Sequence, residues 1–213
     1  MIPRRGLLLD LDGTLADSLG VMWTAYAAFL ADHGREPTQA EFDRLNGPPL
    51  AEVVAILCRD HAIPGNPAAL LERYGAALDT AFAEVRPMPG ARDLLVAARA
   101  AGWATAVVTS NARPRVAAWL DAELPGLVNV LVTAQDCSRG KPFPDPYLKA
   151  LELTGAAATA SIAVEDSPHG ARAALAAGVA VCGLLPPGGL DLRDWPPAVG
   201  RVAALAEIVP LLG

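Results

Sequence analysis

Apolar positions fall into two patterns along this chain. Residues 6–11 (GLLLDL) form a short apolar run that predicts a buried strand. From Asp17 the period changes: Leu19, Met22, Tyr26, Phe29 and Leu30 recur at helical spacing, with Ser18 as an N-cap candidate and Gly34 as a stop. Helices follow over 38–46 and 49–61, broken by NGPP at 46–49, and over 68–84 after IPGNP at 63–67. Residues 18 to about 86 therefore contain helices joined by Gly/Pro turns and no strand, enough chain for a small bundle.

After RPMPG at 86–90 the pattern alternates. Helices are expected at 91–101, about 112–121, about 145–154 and after Ser167-Pro168, the last stopping at Gly178. Between them WATAVVT (103–109), LVNVLVT (127–133), ASIAV (160–164) and VAVCGLL (179–185) read as strands, residues 186–197 as a loop and 198–212 as the site of a last short helix. Fully apolar strands separated by helices predict a parallel sheet covered on both faces. The fold class is thus α/β, with an all-helical insertion directly after the first strand.

Composition narrows the partners. The chain of 213 residues is 53% hydrophobic and 19% charged, with a formal charge of −6, which argues against nucleic acid or an anionic membrane face. Cys58, Cys137 and Cys182 have no metal-ligand spacing, so reduced thiols in a cytoplasmic setting are expected. The two arginines before the first apolar run resemble a targeting signal, but that run is too short for a signal peptide or a membrane span. Fifteen arginines stand against two lysines, Lys141 and Lys149, which draws attention to each lysine.

Ligands of open α/β sheets bind at the carboxyl ends of the strands. Strand one ends in Asp10-Leu11-Asp12, WATAVVT runs into Ser110-Asn111, and ASIAV is followed by Glu165-Asp166-Ser167; Lys141 lies in a loop beyond LVNVLVT. Alternation along a strand puts Asp10 and Asp12 on one side. Four acids converging on one edge repel one another, a conflict that a divalent cation resolves; Mg²⁺ prefers such oxygen ligands, with substrate phosphate completing its shell.

The segments DLDGTLADS, VTSN, GKPFPDPY and VEDSPHG, in that order, resemble the four motifs of the haloacid dehalogenase-like hydrolase superfamily. The resemblance spans nearly the whole chain. It implies a Rossmann-like core, residues 1–17 and 87–213, with a helical cap domain, 18–86, as in the subgroup of phosphoglycolate phosphatases and β-phosphoglucomutases. It further implies a Mg²⁺-dependent phosphatase acting on a small phosphorylated metabolite, as a monomer or weak dimer. Asp10 is then the nucleophile and Asp12 the acid/base; Thr109, Ser110, Asn111 and Lys141 hold phosphate. Asp10, the carbonyl of Asp12 and Asp166 hold the metal, with Glu165 nearby or bound through water. Asp145 and Tyr147 brace the loop of Lys141.

Other readings compete. Within the superfamily, haloacid dehalogenases lack an acid at the position of Asp12, and phosphonoacetaldehyde hydrolase needs a cap lysine, of which 18–86 has none. A phosphomutase of the β-phosphoglucomutase type uses the same aspartates and is the alternative. A binding module without catalysis is the more distant one. Relatives of this kind turn residues 44–50 toward the site, which makes Arg44 and Gly47 candidates for substrate specificity. Taken singly, Thr109, Ser110 and Asn111 also suit an ordinary helix start. His169, in a first helical turn, reads as peripheral, His33 and His61 as solvated, and Trp103 and Trp119 as packing residues.

Overall fold

A computed structural model describes residues 3–185 and 194–213; most of the loop expected at 186–197 lies outside the described residues. Six strands form one parallel sheet: β1 (Gly6–Leu9), β2 (Ala104–Val108), β3 (Val130–Val132), β4 (Ser161–Glu165), β5 (Ala180–Leu184) and β6 (Gly200–Val202), in the order β3-β2-β1-β4-β5-β6. The most apolar strand, β1, takes a central place between β2 and β4. Leu7 and Leu9 bury into one face of the sheet and Leu8 into the other.

Helices cover both faces. α5 (Ala91–Ala100), α6 (Arg113–Glu123) and the 3₁₀ segment Leu205–Leu212 contribute to the core that holds Leu7 and Leu9. α7 (Asp145–Thr154) and α8 (Pro168–Ala176) contribute to the core around Leu8. Trp103 donates its indole N–H to the Leu212 carbonyl at 3.0 Å and Trp119 to that of Val85 at 2.8 Å, so both are packing residues with satisfied polar tips.

The helical block comprises α1 (Leu19–Ala31), α2 (Gln39–Arg44), α3 (Leu50–Asp60) and α4 (Pro67–Phe82). It has its own core, in which Tyr26, Leu30, Val54 and Leu57 are nearly inaccessible and Phe29 stacks on Tyr74 at 4.9 Å. Asn66 caps α4 by accepting from the Ala68 amide, with Pro67 in the first turn. The chain enters and leaves the block through two adjacent segments: Asp17 N–H donates to the Arg86 carbonyl at 2.9 Å and Met88 N–H to that of Leu15 at 2.8 Å.

The sheet departs from the sequence pattern in two places. β6 is a sixth strand in a region expected to be loop and helix, a three-residue edge strand too short and too polar to show periodicity, and the last helix is 3₁₀ with Pro210 inside it. β3 is only three residues of the expected 127–133, because Asn129 turns its side chain onto β2 and accepts from the Thr105 amide at 2.9 Å. No helix among the described residues is long and apolar enough to cross a membrane, and the three cysteines are unpaired.

Candidate active site

Asp10 follows the last residue of β1 and is fixed by its amide, which donates to the Val164 carbonyl at 3.0 Å. Its carboxylate, 7% exposed, accepts from Lys141 Nζ at 2.5 Å. The same ammonium donates to Glu165 Oε1 at 2.5 Å, and that oxygen also accepts from the Tyr147 hydroxyl at 2.5 Å. Ser167 Oγ donates to the other Glu165 oxygen at 3.2 Å. Glu165 is fully buried and stands where any side chain at Gly170 would lie, since a Cβ there would be 1.9 Å from Oε1.

Asp12 lies in the turn after β1, on the same side as Asp10. Its Oδ1 accepts from Ser18 Oγ at 2.7 Å and its Oδ2 from Asn111 Nδ2 at 3.2 Å. Ser18 stands at the N-cap position of α1 as expected but makes no side-chain cap, because its backbone (φ −101°, ψ −14°) is helical rather than in the extended conformation from which a cap hydroxyl reaches back to the first-turn amides. Asn111 is held in turn by Arg115, whose Nη1 donates to Asn111 Oδ1 at 2.5 Å.

Asp166, just past β4, accepts from Asn46 Nδ2 at 3.3 Å. It packs against Gly13, whose φ of +78° and lack of a Cβ allow the approach; a Cβ there would be 2.2 Å from Asp166 Oδ2. Thr109 is buried past the end of β2, and its Oγ1 accepts from the Asn111 amide at 3.0 Å; Ser110 is half-buried beside it.

The electrostatics reflect crowding. Burial raises the Asp10 carboxyl well above its ordinary value; Lys141 opposes that rise and Glu165, Asp166 and Asp12 add to it. Burial, then Glu165, pushes Asp166 up to about 8. Burial raises Asp12 too, against the pull of Ser18, Asn111 and Arg115. Burial alone would lower Lys141, but Asp10 and Glu165 outweigh it and keep the lysine charged. Oxygens of Asp10, Glu165 and Asp166 lie within 4.8 Å of one another, a hard-donor set with more negative charge than its lysine balances. That set fits a divalent cation.

These groups open into one cavity lined by both the sheet edge and the helical block, including Asp10, Asp12, Thr109, Lys141, Asp166 and Asn46. Gly47 lines it as well, with a φ of +114° and a Cβ position 3.4 Å from His169 Cβ. Arg44 does not reach it. As the last residue of α2, it points outward with a side chain 63% exposed and pairs with Asp60 at 3.4 Å and Glu41 at 3.6 Å. In this segment the chain brings Asn46, two residues on, to the site instead. His33 and His61 are also less free than expected: His33 Nδ1 meets the Phe29 carbonyl at 2.7 Å and His61 Nε2 meets Glu41 at 2.9 Å. Burial and then Arg172 lower the pKa of His169. Asp145 and Tyr147 sit beside the Lys141 loop, Asp145 accepting from Arg139 at 2.9 Å.

A family model described as haloacid dehalogenase-like hydrolase matches residues 7–184. The chain is 34% identical to hexitol phosphatase A of Escherichia coli, over 82% of this chain and 80% of that protein. It is 32% identical to a phosphoglycolate phosphatase of Xylella fastidiosa, over 82% of this chain and 77% of the other. Among solved structures, CbbY of Rhodobacter sphaeroides in complex with phosphate superposes with a TM-score of 0.81 at 24% identity, covering 97% and 96% of the two chains.

Proposed function

The chain belongs to the haloacid dehalogenase-like hydrolase family, whose relatives here are phosphatases, and from that premise we propose that it hydrolyses a small phosphate monoester through a phosphoryl group carried on Asp10. The observation that carries this reading is the buried Asp10–Lys141–Glu165 arrangement opening into the same cavity as Asp12.

In the first step an Asp10 oxygen attacks phosphorus and the ester P–O bond breaks. Asp12, whose carboxyl is raised by burial above its ordinary value, acts as the acid and gives a proton to the leaving oxygen. In the second step Asp12, now ionised, takes a proton from water; that water attacks phosphorus, the Asp10–phosphate bond breaks, and inorganic phosphate leaves. Lys141 faces the charge that spreads over the phosphoryl oxygens, and its double anchoring on Asp10 and Glu165 fixes it in place before reaction. Thr109 and Ser110 line the same cavity and would donate to the same oxygens.

Asp10 and Asp166, two of the three clustered acids, would hold Mg²⁺ together with the Asp12 carbonyl that the family resemblance implies, and the ion would supply positive charge for the phosphoryl group. Glu165 has both oxygens engaged by protein donors, so its part is to hold Lys141. The helical block, residues 18–86, acts as a cap: it forms the outer wall of the cavity and limits the substrate to a small molecule.

The test is phosphate release from a panel of monoesters with and without Mg²⁺, for the native chain and Asp10→Asn. Activity that needs both Mg²⁺ and Asp10 supports the reading. Equal activity of the two proteins, or none on a broad panel, overturns it.

A further inference from the structure

The wall that the helical block presents to the cavity differs in character from the sheet edge. The block carries five arginines and nine acids, yet none of their side chains lines the cavity among the described residues. Its contribution is Tyr26, Phe42, Leu50, Val53, Leu78 and Phe82, with other apolar neighbours. Tyr26 also lines the space, but its hydroxyl is engaged, donating to Glu41 at 2.6 Å.

The cations within reach are already committed. Lys141 is held by two carboxylates. Arg115, whose side chain is only 6% exposed, is tied to Asp79 at 2.7 Å, to Asn111 and to the Gly75 carbonyl. Asn46 spends its amide on Asp166. Among the described residues Asn46 keeps its Oδ1 unengaged, and no hydrogen bond is made by the hydroxyl of Tyr74, a residue 5% exposed that lines the cavity. It is neutral, and burial raises its pKa further from neutrality.

We propose that this wall selects monoesters whose alcohol part is uncharged and rich in C–H surface, and rejects those that carry a second carboxylate or phosphate. The inference rests on the phosphatase reading and names the substrate class for the same site. A second anion placed against Phe42, Val53 and Leu78 loses water and meets no free cation among the described residues. An alkyl, aryl or ring C–H face loses nothing there, and a neutral oxygen can accept from Tyr74.

Three esters isolate the charge: benzyl phosphate, 4-carbamoylbenzyl phosphate and 4-carboxybenzyl phosphate, the last two of nearly equal shape. The expected order in kcat/KM puts the two neutral esters within severalfold of each other and the carboxylate lower by about tenfold or more. Calorimetric Kd values for Asp10→Asn with Mg²⁺, which cannot turn the esters over, should follow the same order. A 4-carboxybenzyl ester turned over or bound as well as its carbamoyl partner overturns the proposal. If the native chain turns over none of the esters while the variant keeps the binding order, the phosphatase reading fails and the wall's selectivity stands. If the variant binds none of them, both fail.

Discussion

Arg115 Nη1 donates to Asn111 Oδ1 at 2.5 Å, while Nε of the same guanidinium donates to Asp79 of α4 at 2.8 Å. One side chain from the core thereby connects the helical block to the residue that orients Asp12, because Asn111 Nδ2 donates to the Asp12 carboxylate. Arg115→Ala should lower kcat by about tenfold, the value of one buried charge-assisted hydrogen bond. Arg115 and Asn111 both hold the Asp12 pKa down, so the variant should also move the corresponding limb of the pH–rate profile to higher pH. A loss of activity with an unmoved profile would indicate a merely structural arginine.

Gly170 tests the support beneath Lys141. Alanine is the better helix former by about 1 kcal/mol, and on propensity alone Gly170→Ala should stabilise α8. Its Cβ would instead lie 1.9 Å from Glu165 Oε1 and 2.0 Å from Cδ. Glu165 must move, and Lys141 and Tyr147 lose their common acceptor. The expected result is a Tm lower by several degrees and kcat/KM reduced by about tenfold or more, read by thermal melting and phosphate release.

Removing one donor is gentler than displacing the acceptor. Tyr147→Phe deletes the hydroxyl but leaves Glu165 with Lys141 and Ser167, so a loss of about 1 kcal/mol is expected in denaturant unfolding. Glu165→Ala strips a buried ammonium of one of its two carboxylates and should cost about 3–5 kcal/mol. Equal losses from the two substitutions would contradict the arrangement described above.

The parts of this protein legible in its sequence are those set by local rules. β1 showed itself because strand and burial coincide in three leucines, Asp10, Asp12 and Asp166 because strand ends gather ligand-facing groups, and Lys141 because it is one of only two lysines. The helical block was legible from its period and its turns. Ser18, Asn46 and Arg115 were not read as site residues, since each reaches its partner by the path of the chain in space: 120 residues separate Asn46 from Asp166. Arg44 was expected at the site by likeness to relatives that turn residues 44–50 inward, but here its side chain leaves α2 toward Asp60 and Glu41 while Gly47 lines the cavity. Of these, only Asn46 carried a local hint, an amide directly before Gly47 and two prolines.

Metal affinity and pH should be coupled through Asp166. Burial and the neighbouring Glu165 raise its pKa from 3.8 to about 8 in the folded protein without metal. Between those values the folded chain binds a proton that the unfolded chain lacks, so stability without metal falls as pH rises through this window. A divalent cation needs the ionised carboxylate and must displace that proton at low pH. The increase in Tm produced by Mg²⁺ should therefore be small at about pH 6 and larger at about pH 8.5. Asp166→Asn, which cannot titrate, should lose most of the increment and its pH dependence. Melting curves in Mg²⁺ and in EDTA at both pH values measure this directly, and an increment that is equal at the two, or that survives in Asp166→Asn, would remove Asp166 from the metal site.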